Sequence, residues 1–201
     1  MKLTLYYLSG SRAERVRWIL DELGLPYRLQ TIDLFRGEGQ QPDYLAIHPL
    51  GQLPALEIDG EVMIESGAIV QWLAESGPGS DLAPAPDRPG RRAFDQWMYF
   101  AATTLEGPAW EMMLHGRILP ERLAVRAIIP FAEQRYGQAL GVLEQALQGR
   151  DYLVEDRFSA ADIMTGYILA WFPEQLAPYP ALRNYLARLQ QRPAYPRKPQ
   201  H

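Results

Sequence analysis

The chain has no cysteine, so it offers no thiolate nucleophile, no disulfide and no thiolate metal site. Its histidines, His48, His115 and His201, are far apart in sequence, which argues against a histidine metal cluster. What remains is hydroxyl, carboxylate and backbone chemistry, and two neighbouring stretches concentrate it. In HPLGQLPALEIDG, His48 to Gly60, Pro54 stands at the mouth of a strand where a backbone N–H is wanted. Proline in a sheet is confined to edges, first positions and bulges, and it alone takes a cis peptide bond at low cost. In ESGAIVQWLAES, Glu65 and Ser66 open a helical run. Ser66 reads as its cap, and Glu65 as a carboxylate complementing the helix dipole.

The elements that must position these residues follow from periodicity. LTLYY (Leu3–Tyr7) is a short β-rich run. Next, Val16, Ile19, Leu20 and Leu23 fall on one helical face, with Ser11 as the expected N-cap and Gly24 as the stop. PYRLQTIDL is a second strand, and a polar loop leads to ALEI-DG-EVMI, a hairpin about the Asp59-Gly60 turn. Strand, crossover helix, strand implies a parallel pair, and the hairpin is expected to add antiparallel edge strands.

Composition then shifts. The stretch Gly77 to Gly90 is rich in proline and glycine and reads as a linker. Beyond it the β-rich runs stop and helical patterns take over. Gly107-Pro108 is expected to bend or break the first of these helices, and Pro130 to start or kink another. Ser159 and Asp162 form a capping box, with Phe158 and Ile163 as a staple. YPALRNYLARLQQ is the last helix, and the proline-rich tail is expected to be extended. The domains are therefore expected at 1–77 and 91–201, joined by a linker at 78–90.

At 201 residues the chain is large enough for two small cores. A net charge of −4 argues weakly against general nucleic-acid binding. No apolar run is long enough for a membrane span, and MKLTLYYLSG lacks a signal-peptide core, so a cytoplasmic protein is expected.

In this order the motifs resemble the cytosolic glutathione S-transferase family, nearest its bacterial and fungal yeast-type members, over essentially the whole chain. SRAERVRWILDELGLPY resembles the family's first helix. HPLGQLPAL matches its N-P-x-G-x-V-P-A-L loop with His48 for Asn, and ESGAIVQWLAE its E-S-x-A-I-x-x-Y-L helix with Trp72 for the aromatic. FSAADIMTGYIL matches the capping box of its helical domain. The resemblance implies an α/β thioredoxin-like N-terminal domain, with a cis Leu53–Pro54 bond, followed by an all-α helical bundle domain.

It also implies a site for glutathione as co-substrate, without a metal. Leu53, beside Pro54, would pair its backbone with the cysteinyl unit as a short added strand. Glu65 would meet the γ-glutamyl ammonium, and Ser66 the neighbouring carboxylate at a helix N-terminus. Gln52, Gln40 and His48 are candidates for the glycyl carboxylate, as is Gln41. The thiol-activating group is left open among Ser11, Ser9, the tyrosines Tyr6 and Tyr7, and backbone amides alone, with Arg12 adding charge nearby. Lowering a thiol pKa raises the thiolate fraction but lowers its nucleophilicity, so most of the catalysis must come from holding the electrophile.

Tyr99, Trp110, Met113 and Leu114 are the expected electrophile pocket, with Trp171, Phe172 and His115 as further candidates. The implied activity is conjugation of glutathione to small hydrophobic electrophiles, a detoxifying transferase acting as a homodimer across the domain junction. The alternatives are a glutathione-binding regulatory protein, or a glutathione-dependent isomerase, peroxidase or ether-cleaving enzyme.

Overall fold

The computed structural model describes residues 1–196; the end of the tail, with His201, lies outside the described residues. The chain divides into two compact units, Met1–Ala83 with the chain from Pro193, and Pro84–Arg192. The sequence alone assigns everything after residue 90 to the helical part. In the structure the described tail groups with the first unit, where Tyr195 meets Trp18 edge-on at 4.8 Å between centroids.

The first unit holds β1 (Leu3–Tyr7), α1 (Ala13–Glu22), β2 (Arg28–Thr31), a short α2 (Pro42–Leu45), β3 (Ala55–Ile58), β4 (Glu61–Ile64) and α3 (Ser66–Ser76). The sheet order is β2-β1-β3-β4, with β1 parallel to β2 and antiparallel to β3. This is the thioredoxin-like arrangement. Only β4 of the hairpin is an edge strand; β3 is interior, because it pairs with β1 as well as β4.

Alternation along β1 distributes its side chains between two faces. On one side α1 packs against α3, with Leu5, Val16, Trp18, Ile19, Leu20, Leu56, Ile69 and Leu73 fully buried. Each such aliphatic side chain stabilises the fold by about 1.5–3 kcal/mol. A second cluster joins Tyr6, Ile32, Tyr44, Leu53 and Ala55, with Leu8, Ile47 and Ile64 packed against it.

Two helix starts differ from the sequence reading. Arg12, not Ser11, holds the cap position of α1, although the Ser11 hydroxyl still accepts the Ala13 N–H at 3.2 Å. Glu65, not Ser66, holds the cap position of α3, and Ser66 is the first helical residue.

The second unit holds α4 (Arg91–Tyr99), α5 (Glu106–Met113), α6 (Ile129–Ala146), α7 (Ala160–Leu169) and α8 (Pro180–Gln190). The helix is not broken at Gly107-Pro108. A π-helical segment, Phe100–Leu105, joins α4 to α5, and the Glu106 N–H reaches back to the Ala101 carbonyl. The wider turn lies just before Pro108, where a donor N–H is missing anyway. Pro130 starts α6 rather than kinking it. Every residue of α7 is buried, as expected of a helix at the centre of a bundle. Its capping box has both arms, and Asp162 also accepts the Leu153 N–H at 3.1 Å and the Tyr185 hydroxyl at 2.8 Å. Among the described residues no helix is long and apolar enough to cross a membrane.

Candidate functional site

Topology brings three segments to one end of the sheet. β1 finishes there and β3, antiparallel to it, begins there, since Tyr6 pairs with Ala55. β4 finishes there too, because Ile64 pairs with Ala55, and α3 follows at once. The β1–α1 loop, the Leu53–Pro54 segment and the N-terminus of α3 are therefore neighbours, although they lie far apart in sequence. Leu8 packs against the cluster containing Leu53, and Arg15 of α1 donates to the Ser66 hydroxyl at 3.2 Å.

The Leu53–Pro54 bond is cis. Among the described residues no donor or acceptor pairs with the Leu53 N–H or C=O. Just before it, the Gln52 carbonyl accepts the Tyr44 hydroxyl at 2.6 Å, while the Gln52 side chain is exposed. Tyr44 also lies near Tyr6 and stacks on His48. His48 is buried, its Nδ1 accepts the Leu50 N–H at 3.3 Å, and burial lowers its pKa while Glu65 pulls the other way. The ring is thus a prop of the loop as well as a candidate contact. Gln40 is exposed and its amide lies against Gly51, where a Cβ would collide with it and with the Gly39 carbonyl.

Glu65 is exposed and has φ +71°, ψ 105°. A non-glycine residue held there is strained by about 1–3 kcal/mol, and such strain collects at functional sites. Ser66 beside it is buried, with its hydroxyl on Arg15.

At the end of β1 and in the β1–α1 loop every candidate hydroxyl donates within the protein. Tyr6 donates to Glu57 at 3.2 Å and Tyr7 to Glu14 at 2.6 Å, and burial, reinforced by those carboxylates, raises both pKa values. Arg17 donates to the Tyr7 oxygen at 3.3 Å, so that hydroxyl is occupied as donor and acceptor. Ser11 donates to the Leu8 carbonyl at 2.7 Å. Ser9 is exposed and donates to Glu14 over a longer 3.3 Å.

In the helical unit Trp110, Met113 and Leu114 are half-buried, and their i, i+3, i+4 spacing puts them on one face. Trp110 lies 6.3 Å from Trp171, which meets Tyr167 at 5.8 Å. Tyr99 stands apart from them; it is 66% exposed, and the π-helical segment between changes the helical phase. Phe172 belongs to the core, against Tyr136. His115 accepts the Val125 N–H at 3.1 Å and ties down a turn. A cavity of about 170 Å³ in this unit is lined by Phe100, Thr104, Arg135, Gln138, Ala139 and Val142, and by none of the expected pocket residues. Among the described residues no cluster of three or more acidic or histidine side chains could hold a metal.

The sequence reading did not single out Glu14, Arg15 or Tyr44. One signal for Glu14 was present: Ser11-Arg12-Ala13-Glu14 has the S-x-x-E spacing of a capping box, in which the acid reaches back to the preceding loop. It does reach back, to Gly10 and Ser9.

Comparison with known proteins agrees with this geometry. Residues 1–75 match the glutathione S-transferase N-terminal domain and residues 99–188 the C-terminal domain. Glutathione S-transferase F10 of Arabidopsis thaliana is 33% identical over 168 residues, covering 81% of this chain and 77% of that protein. The disulfide-bond oxidoreductase YfcG of Escherichia coli is 30% identical, covering 96% and 92%. The glutathione transferase URE2P6 of Phanerochaete chrysosporium, solved in complex with oxidized glutathione, superposes with a TM-score of 0.86 at 26% identity, covering 96% and 92%. The chain belongs to the glutathione S-transferase family.

Proposed function

We propose that the protein binds glutathione at this end of the sheet and conjugates its thiolate to small hydrophobic electrophiles. The observation that carries the reading is the unpaired Leu53 backbone, opposite a strained, exposed Glu65 and a buried Ser66 at a helix N-terminus. Leu53 pairs with the cysteinyl backbone of the ligand. Glu65 meets the γ-glutamyl ammonium, while Ser66 and the first N–H groups of α3 meet the α-carboxylate. Gln52, Gln40 and His48 reach for the glycyl carboxylate.

For thiol activation the geometry favours the serines over the tyrosines. Tyr7 donates to Glu14 and accepts from Arg17, and Tyr6 donates to Glu57. Ser9 is exposed and its bond to Glu14 is long at 3.3 Å, while Ser11 donates to the Leu8 carbonyl and accepts the Ala13 N–H. Trp110, Met113 and Leu114, with Tyr99, belong to the electrophile pocket. The protein acts as a cytoplasmic homodimer with a detoxifying role.

The test is glutathione binding by calorimetry, wild type beside Glu65→Ala, followed by an aryl-halide conjugation assay. Binding weakened about tenfold or more in Glu65→Ala, with turnover in the wild type, supports the reading; a charge-assisted hydrogen bond contributes about 1.5–3 kcal/mol. A folded wild type that does not bind glutathione overturns it. A second reading, glutathione-dependent oxidoreduction, is favoured by the similarity to YfcG along almost the whole chain. Without a cysteine, that activity would run through glutathione thiols alone, and oxidized glutathione would appear as product.

A further inference from the structure

Leu53 offers the ligand two backbone groups that belong to different peptide units. Its C=O is part of the Leu53–Pro54 unit, and its N–H is part of the Gln52–Leu53 unit. The Gln52–Leu53 bond is trans, so its C=O and N–H lie in one plane and point in opposite directions. Whatever fixes the Gln52 carbonyl therefore fixes the direction of the Leu53 N–H.

One side chain fixes that carbonyl. The Tyr44 hydroxyl donates to it at 2.6 Å, a short bond for a hydroxyl on a neutral acceptor. Among the described residues no backbone N–H pairs with the Gln52 C=O. Tyr44 is itself held firmly. It is buried, and its ring packs in the cluster of Tyr6, Ile32, Leu53 and Ala55, 5.7 Å from Tyr6 and stacked on His48. Its N–H donates to the Gln41 carbonyl at 3.0 Å, and its own carbonyl accepts the His48 N–H at 2.8 Å. Burial raises its pKa well above the usual 10, so the hydroxyl stays a donor at any physiological pH.

A buried tyrosine hydroxyl needs some acceptor. Here the acceptor is the carbonyl whose partner N–H, across the same rigid plane, is left open. The Leu53 side chain is buried in the same cluster as the Tyr44 ring, so the residue is anchored on both sides of that N–H. Donation into the carbonyl also polarises the amide and strengthens its N–H as a donor.

We propose that Tyr44 is a positioning residue for glutathione: by holding the Gln52 carbonyl it aims the Leu53 N–H at the cysteinyl carbonyl of the ligand. This rests on the glutathione-binding reading above. Tyr44 acts through the peptide unit and touches no part of the ligand. Glu65 lies on another segment, and its contribution to binding is independent of Tyr44.

The experiment follows amide hydrogen exchange at Leu53 by NMR, with and without saturating glutathione, and glutathione affinity by calorimetry. Tyr44→Phe keeps the ring and removes only the hydroxyl. In the wild type glutathione should slow exchange at Leu53 by about tenfold or more. In Tyr44→Phe the slowing should drop below about threefold, and affinity should fall about fivefold, as expected for one neutral hydrogen bond. Glu65→Ala should weaken binding by the same factor in both backgrounds. Tyr44→Met, which also lacks the hydroxyl and can fill the same space, carries the test if Tyr44→Phe does not fold.

A tyrosine that only braced the fold would lower the unfolding midpoint and leave the folded variant's ligand contacts alone. Full protection of Leu53 in folded Tyr44→Phe, or unchanged affinity, therefore overturns the positioning role while leaving glutathione binding in place. A folded wild type that does not bind glutathione, or binds it without slowing exchange at Leu53, overturns the binding reading itself and this role with it.

Discussion

Two buried carboxylates at the starts of helices, Asp162 in the helical unit and Glu14 in the first, are satisfied in opposite ways. Asp162 in the helical unit is fully buried, and its two oxygens accept the Ser159 N–H, the Ser159 hydroxyl, the Leu153 N–H and the Tyr185 hydroxyl. Glu14 in the first unit has one crowded oxygen and one without a hydrogen bond. A fully satisfied buried network fixes a structure; a partly satisfied one leaves an atom able to take a further partner. Asp162 is thus spent on the fold of its own unit, whereas Glu14, Leu53 and Glu65 keep valences open in the first.

The comparison makes its largest claim about stability. Asp162→Ala strands four donors and should cost about 3 kcal/mol or more in denaturant unfolding, with folded protein still binding glutathione normally. A loss below about 1 kcal/mol would break the contrast. Next, Glu65→Gly should move two properties in opposite directions. Relief of the positive φ should raise stability by about 1 kcal/mol, while loss of the carboxylate lowers glutathione affinity about tenfold or more. If both fall together, Glu65 is structural.

A smaller effect is expected from Ser159→Ala, which removes one arm of the capping box and should cost about 1 kcal/mol. A further contrast concerns pH. Burial pushes the Asp162 carboxyl up to about 6 from a usual 3.8, against the pull of its donors. An acid raised on folding contributes stability that is present below its unfolded pKa and is lost as pH rises through the folded value. The wild type should therefore lose part of its stability between about pH 4 and pH 6 relative to Asp162→Asn, measured as the difference between their unfolding curves.

Much of this was legible in the chain. The hydrophobic spacing of Val16, Ile19 and Leu20, the Asp59-Gly60 turn and the Ser159–Asp162 box are local patterns, and local patterns are what a sequence displays. The loop motif around Pro54 and the Glu65-Ser66 pair were legible only through resemblance, because the role proposed for them is a contact with a ligand. What was not legible is whatever depends on which residues the sheet brings together. The Arg15–Ser66 bond joins residues 51 positions apart, and Tyr44 reaches the Gln52 carbonyl from a helix of one turn. The continuity of the helix past Gly107-Pro108 was also hidden, because proline's missing donor is absorbed by a wider turn before it rather than by a break.

The contact of Tyr195 with Trp18 has a consequence for synthesis on the ribosome. Trp18 is fully buried and sits on α1, the helix that carries Glu14 and Arg15. Its edge-on partner is made only after the whole helical unit has been translated. During translation the first unit therefore lacks this aromatic contact until the helical unit has been made.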